Sequence, residues 1–155
     1  ISLSIDSTGQ LNEFLRKGSE WKNTIDTMEW FLKHSNYNLF VHSVASIYNF
    51  NQLDKLIDLC LEKNIPHKYV MVDGVDWMLP RHLPGAVKQK FKTRLIEQSK
   101  LYPNQAIYTK ILQEVDTPGD LEKFLYNDKR LNNIRNETWK DANPELFELI
   151  EEYYD

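Results

Sequence analysis

Acidic side chains end two of the strands that the sequence predicts, and an arginine follows the first of them. Asp6 closes the opening segment, Asp73 closes a later one, and Arg16 lies in the connection after the first. Ligands of parallel α/β sheets bind beyond the carboxyl ends of the strands, so Asp6 and Asp73 can approach each other there. Arg16 can then bind a carboxylate or phosphate through two N–H groups. The alternative is structural, with each aspartate capping a loop or pairing with Arg16, Arg81 or a lysine.

A second group of candidates follows the last predicted strand. Asp76, Arg81 and His82 lie in one loop with Trp77, Met78 and two prolines. An apolar and aromatic loop over a strand end forms a lid or a substrate wall, or else it simply packs on the rim of the sheet. The first interpretation makes Asp73, Trp77, Arg81 and His82 substrate-binding residues.

Several kinds of chemistry are disfavoured by residue type and spacing. Cys60 is the single cysteine, so the chain alone forms no internal disulfide and no multi-cysteine metal or cluster site, and Cys60 is expected to be a buried helix residue. His34, His42 and His67 lack metal-ligand spacing, and His42 is expected to be a hydrogen-bonded core histidine. No glycine-rich phosphate loop is present. The sequence therefore predicts no metal site.

Composition is that of an ordinary globular chain of about one domain. The 155 residues are 41% hydrophobic and 27% charged, with a net charge of -4. No region concentrates Lys and Arg without acidic neighbours, which argues against nucleic acid as a partner. No apolar run approaches the roughly 18 residues of a membrane span, and no signal-peptide pattern opens the chain. A cytoplasmic location without membrane contact is the expectation.

Three segments have the pattern of β-strands. In Ile1–Asp6 apolar and polar residues alternate, as in a strand with one apolar face. The second strand, 38–46, is apolar at enough positions to be buried on both faces, which is typical of a parallel sheet. The third runs from 67 to 72. An opening strand with no leader before it indicates that the chain begins inside a larger barrel, whose cavity its polar face lines.

Helices separate and follow these strands. One is expected from about Ser19, with that serine as its N-cap and an apolar stripe at Trp21, Ile25, Met28 and Leu32. A second spans about 50–63, and residues after 85 are predicted to be helical throughout. The chain is therefore expected to be α/β: three parallel strands joined by right-handed βαβ crossovers in 1–84, half of a partial barrel, and a helical extension in 85–155 packed on it.

Three motifs in 1–84 carry a resemblance to radical S-adenosylmethionine enzymes. Ser2-Leu-Ser-Ile-Asp-Ser7, followed by Asn12-Glu-Phe-Leu-Arg16 and Gly18-Ser-Glu-Trp21, resembles the stretch after the fourth barrel strand of that family. Val41-His-Ser-Val-Ala-Ser-Ile-Tyr-Asn49 resembles the fifth strand with its asparagine turn. Tyr69-Val-Met-Val-Asp73 resembles the sixth. The rest of the chain is similar to a subset of such proteins with a twitch-type extension, including phage-borne and environmental sequences.

The resemblance implies a set of cofactor-binding residues. Ser4 and Asp6 match positions near the ribose and amino-acid moiety of S-adenosylmethionine, and Arg16 matches an arginine that pairs with its carboxylate. Asn49 matches the turn after the fifth strand, and Val72 matches a site near the adenine. The glycine that usually follows the aspartate is a serine in this chain.

The resemblance also implies a cofactor that this chain cannot hold alone. In the family a CxxxCxxC loop holds a [4Fe–4S] cluster that cleaves S-adenosylmethionine, and the chain has no such loop. We therefore expect the carboxyl-terminal part of a radical S-adenosylmethionine enzyme, inactive alone but retaining part of the cavity. The alternatives are a stand-alone α/β interaction or assembly domain of barrel ancestry, or a small hydrolase or isomerase that uses Asp6 and Asp73.

A half barrel also predicts association. Open strand edges and an uncovered inner face around His42, Val44, Val70 and Val72 favour a homodimer. The competing prediction is that the helical tail folds back over this face and leaves the chain monomeric.

Overall fold

A three-stranded parallel sheet organises the chain, which a computed structural model describes at residues 1–34 and 36–154. The strands are β1 (Ser2–Ser4), β2 (Phe40–Ala45) and β3 (His67–Met71). They lie side by side in chain order, with Ser4 opposite His42 and Ser43 opposite Tyr69. The predicted α/β class and the three parallel strands are confirmed.

Helices account for most of the remaining described residues. The seven α-helices are α1 (Gly9–Leu15), α2 (Trp21–His34), α3 (Leu53–Glu62), α4 (Gly85–Leu101), α5 (Ile107–Asp116), α6 (Leu121–Arg135) and α7 (Pro144–Ile150). Single 3-10 turns lie at Asp76–Met78, Pro80–His82 and Glu151–Tyr154. After residue 85 the described chain is helical, as expected.

In the described part of the chain, the helices cover one face of the sheet. Right-handed crossovers that step in one direction across a sheet place their helices on the same face. Val41, Ser43 and Ala45 on that face of β2 are buried, whereas Phe40, His42 and Val44 are partly exposed. The expectation that this strand is buried on both faces was therefore wrong.

The uncovered side, here called the open face, continues across all three strands. Its members, aligned by strand register, are Ser2, Ser4, Phe40, His42, Val44, Lys68 and Val70. His42 lies on this face and not in the core, so the expectation of a hydrogen-bonded core histidine was also wrong. The physical reason is the strand period of two, which puts every second residue of β2 away from the helices.

The connection after β1 is not an irregular loop. It contains α1, which buries Leu11, Asn12 and Phe14. This helix also changes the start of α2, because the first N–H of α2, on Trp21, is capped by the Glu13 carboxylate at 2.6 Å. The predicted cap, Ser19, has a buried hydroxyl without a hydrogen-bond partner among the described residues.

Residues before and after 85 share one hydrophobic cluster. The Phe50 ring packs edge-on against Phe91 at 5.4 Å, and Tyr48 packs against Trp139 at 5.4 Å. The tail thus packs against the turn after β2 and leaves His42 and Val44 of the open face partly exposed. The tail buries Val87, Phe91 and Leu95 along one side of α4.

Helix starts in the tail follow ordinary capping rules. Asp120 accepts a hydrogen bond from the Lys123 N–H at the start of α6, and Asn143 accepts one from the Leu146 N–H at the start of α7. Pro144 occupies the first position of α7. In the described part of the chain, no helix combines the length and apolarity needed to cross a bilayer.

Candidate functional site

The carboxyl end of β1 carries a fixed carboxylate–guanidinium pair. Asp6 Oδ1 accepts hydrogen bonds from the Val44 N–H at 2.8 Å and from Arg16 Nη2 at 3.1 Å. Arg16 Nε lies 3.0 Å from Asp6 Oδ2, which is an ion-pair contact without hydrogen-bond geometry, so one hydrogen bond and one ion-pair contact join the two side chains. The Asp6 side chain is 12% exposed and that of Arg16 is 33% exposed. The pair is therefore held in place but remains open to solvent on the arginine side.

Helix α1 fixes the backbone around this pair. The Asn12 side-chain oxygen accepts hydrogen bonds from the N–H groups of Asp6 at 3.0 Å and Ser7 at 3.4 Å. Asn12 is buried, so these bonds are shielded from water. The Ser7 hydroxyl is buried as well and has no hydrogen-bond partner among the described residues.

Asn49 supports the same site from the turn after β2. Its amide nitrogen donates to the carbonyl oxygens of Asp6 at 2.8 Å and Val44 at 2.9 Å, and its oxygen accepts from the Ser46 N–H at 2.7 Å. The Tyr69 hydroxyl also donates to the Asp6 carbonyl, at 3.1 Å. Because both amide hydrogens of Asn49 are used, this residue positions Asp6 and is not available to donate to a ligand.

The remaining predicted cofactor residues lie on the open face. Ser4 is exposed there at the end of β1. Val72 is partly exposed and extends the pairing of β3, since its N–H donates to the Ala45 carbonyl at 2.8 Å. The structure therefore places Ser4, Asp6, Arg16 and Val72 along the same end of the sheet.

Asp73 is separate from the Asp6–Arg16 pair. It is exposed, and its carboxylate accepts a hydrogen bond from the following Gly74 N–H at 2.8 Å, where Gly74 has a positive φ of 72°. No hydrogen bond or ion pair joins Asp6 to Asp73 within the described residues. Each aspartate thus has the structural role stated above as the alternative, one pairing with Arg16 and the other capping a loop.

The loop at 76–82 attaches the tail. Arg81 binds Glu114 of α5 through Nε at 2.6 Å and Nη2 at 2.7 Å. The buried His82 accepts the Asp120 N–H on Nδ1 at 2.9 Å, so its Nε2 carries the proton and donates to Asp76 at 3.1 Å. Two of the predicted substrate residues, Arg81 and His82, are therefore engaged in contacts with the tail.

Asp76 and Trp77 complete this loop. Lys123 of α6 donates to Asp76 at 2.6 Å, and this hydrogen bond lowers the pKa of the carboxyl group. Trp77 is partly exposed and its ring stands edge-on to Tyr48 at 6.4 Å. The four predicted substrate residues therefore divide into two groups. Arg81 and His82 bind the tail, whereas Asp73 and Trp77 are at least partly exposed and form no ion pair among the described residues.

One carboxylate of the tail lies in the core. Asp128 is fully buried and accepts hydrogen bonds from Tyr48 at 2.5 Å, Tyr154 at 2.6 Å and Trp139 at 3.2 Å. Asn132 adds a fourth at 2.9 Å. Burial and the Asp128 charge raise the pKa of the Tyr48 hydroxyl well above its ordinary value. Asp128 is thus stabilised by neutral donors.

These contacts define what the site can do. Arg16 has no partner for its Nη1 within the described part of the chain, so this group can bind an anion at the edge of the open face. In residues 1–34 and 36–154 no three His, Cys, Asp or Glu side chains cluster as a metal site would require. The arrangement is suited to binding and positioning an anionic group.

The chain matches no family model, no curated protein and no solved structure. Its interpretation therefore depends on the geometry of its own residues.

Proposed function

We propose that this chain forms the carboxyl-terminal half of the partial barrel of a radical S-adenosylmethionine enzyme. In this proposal the open face lines the reaction cavity, and Arg16 binds the carboxylate of the cofactor's amino-acid part. The observation that carries the proposal is the consecutive parallel strand order combined with one uncovered face that ends at the Asp6–Arg16 pair.

The strand order supports a barrel over a doubly wound sheet. A doubly wound sheet reverses direction at a switch point and covers both faces with helices. In this chain the strands follow in the order β1-β2-β3, and the alternating burial of β2 shows one covered face. A barrel has this arrangement in every part, because its helices lie outside and its inner face is lined by strand residues.

The geometry of Arg16 supports its proposed role. Asp6 orients the guanidinium through two contacts, which reduces the entropy that a ligand must overcome on binding. The Val44 N–H and Asn12 in turn orient Asp6. A carboxylate can therefore meet a pre-positioned arginine while Ser4 and Val72 lie on the same side of the sheet.

The residues of this chain fit the organic cofactor but not the iron–sulfur cluster. Cluster ligation needs several thiolates, whereas the single Cys60 is buried on α3 and burial raises the pKa of its thiol to about 12. In the proposed enzyme the cluster is held by other residues of the barrel. This chain contributes binding and orientation.

The alternative function, an interaction or assembly domain, is supported by the same open face. Phe40, Val44 and Val70 are partly exposed there, and among the described residues β1 and β3 each pair on one side. An uncovered apolar face and free strand edges favour association with a second copy or with another protein. Under this alternative S-adenosylhomocysteine has no effect on the protein, whereas a dimer mass in light scattering is expected of a half barrel as well and does not separate the two.

The direct test is calorimetric titration of the chain with S-adenosylhomocysteine, which keeps the carboxylate and needs no cluster. We expect weak, saturable binding, and Arg16→Ala weakens it by about 1.5–3 kcal/mol, the value of a charge-assisted hydrogen bond. Arg130→Ala is the matched control, because Arg130 is an exposed arginine on α6 that contacts only the Tyr126 ring within the described residues. Absence of heat at millimolar ligand, or equal losses in the two variants, contradicts the proposal.

A further inference from the structure

Two basic side chains, here called the basic pair, lie next to each other on the open face. The strand register places His42 of β2 opposite Lys68 of β3. Both point away from the helices, since Ser43 and Tyr69, the next residues of the two strands, are buried on the covered face. Lys68 is exposed and His42 is partly exposed. Neighbouring strands are about 4.8 Å apart, so one small group can contact both side chains.

The basic pair has no acidic partner in the fold. Among the described residues, neither the His42 ring nor the Lys68 ammonium group makes a hydrogen bond or an ion pair. No described member of the open face is Asp or Glu. On the helices, by contrast, Lys92 and Arg94 each bind a carboxylate. Like charges directly opposite each other on neighbouring strands are unfavourable, so a negative group between the two side chains stabilises their arrangement.

Apolar side chains border the basic pair on the side of the proposed cofactor. Val44 and Val70 lie opposite each other one step further along the same face, and both are partly exposed. The Val44 N–H also binds Asp6, the partner of Arg16, so this apolar step adjoins the Asp6–Arg16 pair. A molecule with one anionic group and an apolar body therefore matches the open face and extends toward the cofactor.

We propose that the substrate of the enzyme is a small organic anion whose charged group binds between His42 and Lys68. This inference rests on the proposed function, in which the open face lines the reaction cavity. A cationic substrate is disfavoured, because no described residue of the open face is acidic. A phosphate monoester fits well, since its terminal oxygens can accept from the Lys68 ammonium group and from a ring N–H of His42.

The experiment compares benzyl phosphate with benzyl alcohol, which has the same apolar body without the charged group. Each is titrated into ¹⁵N-labelled protein at pH 7, and the amide resonances are followed by NMR. Benzyl phosphate is expected to give saturable shifts at His42, Val44, Lys68 and Val70 and to bind about tenfold more tightly than benzyl alcohol. Added NaCl should weaken the binding of benzyl phosphate, because salt screens charges that are open to solvent.

Variants test the assignment to the basic pair. Lys68→Gln removes the charge and should weaken benzyl phosphate binding about five- to tenfold. Lys90→Gln is the matched control and should leave the affinity unchanged, because Lys90 is exposed on α4 and makes no hydrogen bond or ion pair among the described residues. Lys68→Gln should also leave the binding of S-adenosylhomocysteine unchanged, which separates this site from Arg16.

Two results with the unaltered protein overturn the proposal, and neither depends on whether a variant folds. One is equal binding of benzyl phosphate and benzyl alcohol. The other is the absence of saturable shifts at His42 and Lys68 at millimolar benzyl phosphate, and if S-adenosylhomocysteine still binds, this inference fails alone. Binding of benzyl phosphate to a protein that does not bind S-adenosylhomocysteine contradicts the proposed function but supports anion binding by the basic pair.

Discussion

At the scale of single residues, Asp6 connects the separate segments that form the site. Its carboxylate binds Arg16 and the Val44 N–H, and its backbone is held by Asn12, Asn49 and Tyr69. The Asp6 carboxylate is nearly buried and accepts hydrogen bonds from a charged side chain and from a backbone N–H. Its removal is costly, because both donors then lose their acceptor.

Asp6→Asn is therefore expected to lower the free energy of unfolding by about 1–3 kcal/mol, since the amide carries no charge to pair with Arg16 and replaces Oδ2 with an NH2 donor that faces Arg16 Nε. Urea denaturation measures this change. Asp73→Asn is the matched control, because Asp73 is exposed and bonds only to its neighbour Gly74 within the described residues, and it should change stability by less than about 0.5 kcal/mol. Equal effects of the two variants would show that Asp6 has no special structural role.

His67 gives a pH-dependent prediction. Its folded pKa of about 4 lies below the value of about 6.5 in an unfolded chain, because burial disfavours the charged ring. The unfolded state therefore takes up the proton first. The contribution of neutral His67 to the stability of the fold is complete above about pH 6.5 and is lost as the pH falls toward 4. The groups around it are Ser43, Tyr69 and His42.

An NMR titration of the histidine ring protons checks this prediction. His67 should titrate near pH 4, and exposed His34 serves as the internal comparison. A His67 pKa at or above 6.5 would contradict the buried, neutral state of the ring.

At the scale of elements, one glycine controls how the tail approaches the sheet. A Cβ atom placed on Gly119 would lie 2.1 Å from the Arg81 carbonyl oxygen and 2.7 Å from the His82 nitrogen. These are backbone atoms in a segment fixed by the Arg81–Glu114 pair, so they cannot move aside independently.

Gly119→Ala should accordingly destabilise the fold by about 2 kcal/mol or more, through displacement of the segment between α5 and α6. Gly85→Ala provides the contrast. A Cβ atom at Gly85, the first residue of α4, has no neighbour within 4 Å, so this variant is expected to be neutral or stabilising by up to about 1 kcal/mol. Thermal denaturation of both variants decides the matter, and a neutral Gly119→Ala would refute the close contact.

The positions of most elements were predictable from local patterns. The third strand, the start of α7 at Pro144 and the helical tail follow from alternation, capping and apolar stripes in short windows. Helix α1 was missed because its segment, from Ser7 to Gly18, is polar and contains two glycines, and its helical character becomes clear only when Leu11 and Phe14 are seen to be buried. Burial of β2 on one face depends on sheet order, which no local window contains.

At the scale of the whole molecule, the Asp128 carboxylate links the turn after β2 to the end of the chain. Tyr48, Asn132, Trp139 and Tyr154 converge on it from four separate segments. This group of contacts was not predictable from the sequence, because no spacing rule connects residues that lie up to 80 positions apart. The Asp6–Arg16 pair was easier to anticipate, since its members are separated by 10 residues.

Tyr154→Phe tests the contribution of this buried group to tail packing. Loss of one of four donors to a buried carboxylate should cost about 1–2 kcal/mol, which lowers the Tm by a few degrees in a chain of this size. Tyr153→Phe is the control, because Tyr153 is 36% exposed and makes no hydrogen bond within the described residues. The same Tm for Tyr154→Phe and the unaltered protein would mean that the last turn does not stabilise the fold.

The most direct test of the central claim is to locate where S-adenosylhomocysteine, the analogue of S-adenosylmethionine without its methyl group, binds the chain. Backbone amide spectra of ¹⁵N-labelled protein, recorded while S-adenosylhomocysteine is added, report the position of binding residue by residue. The account predicts saturable shifts at the amides of Ser4, Asp6, Val44 and Val72, together with the Arg16 side chain, and no shifts at His67. Shifts confined to other surfaces, or none at millimolar ligand, would contradict it.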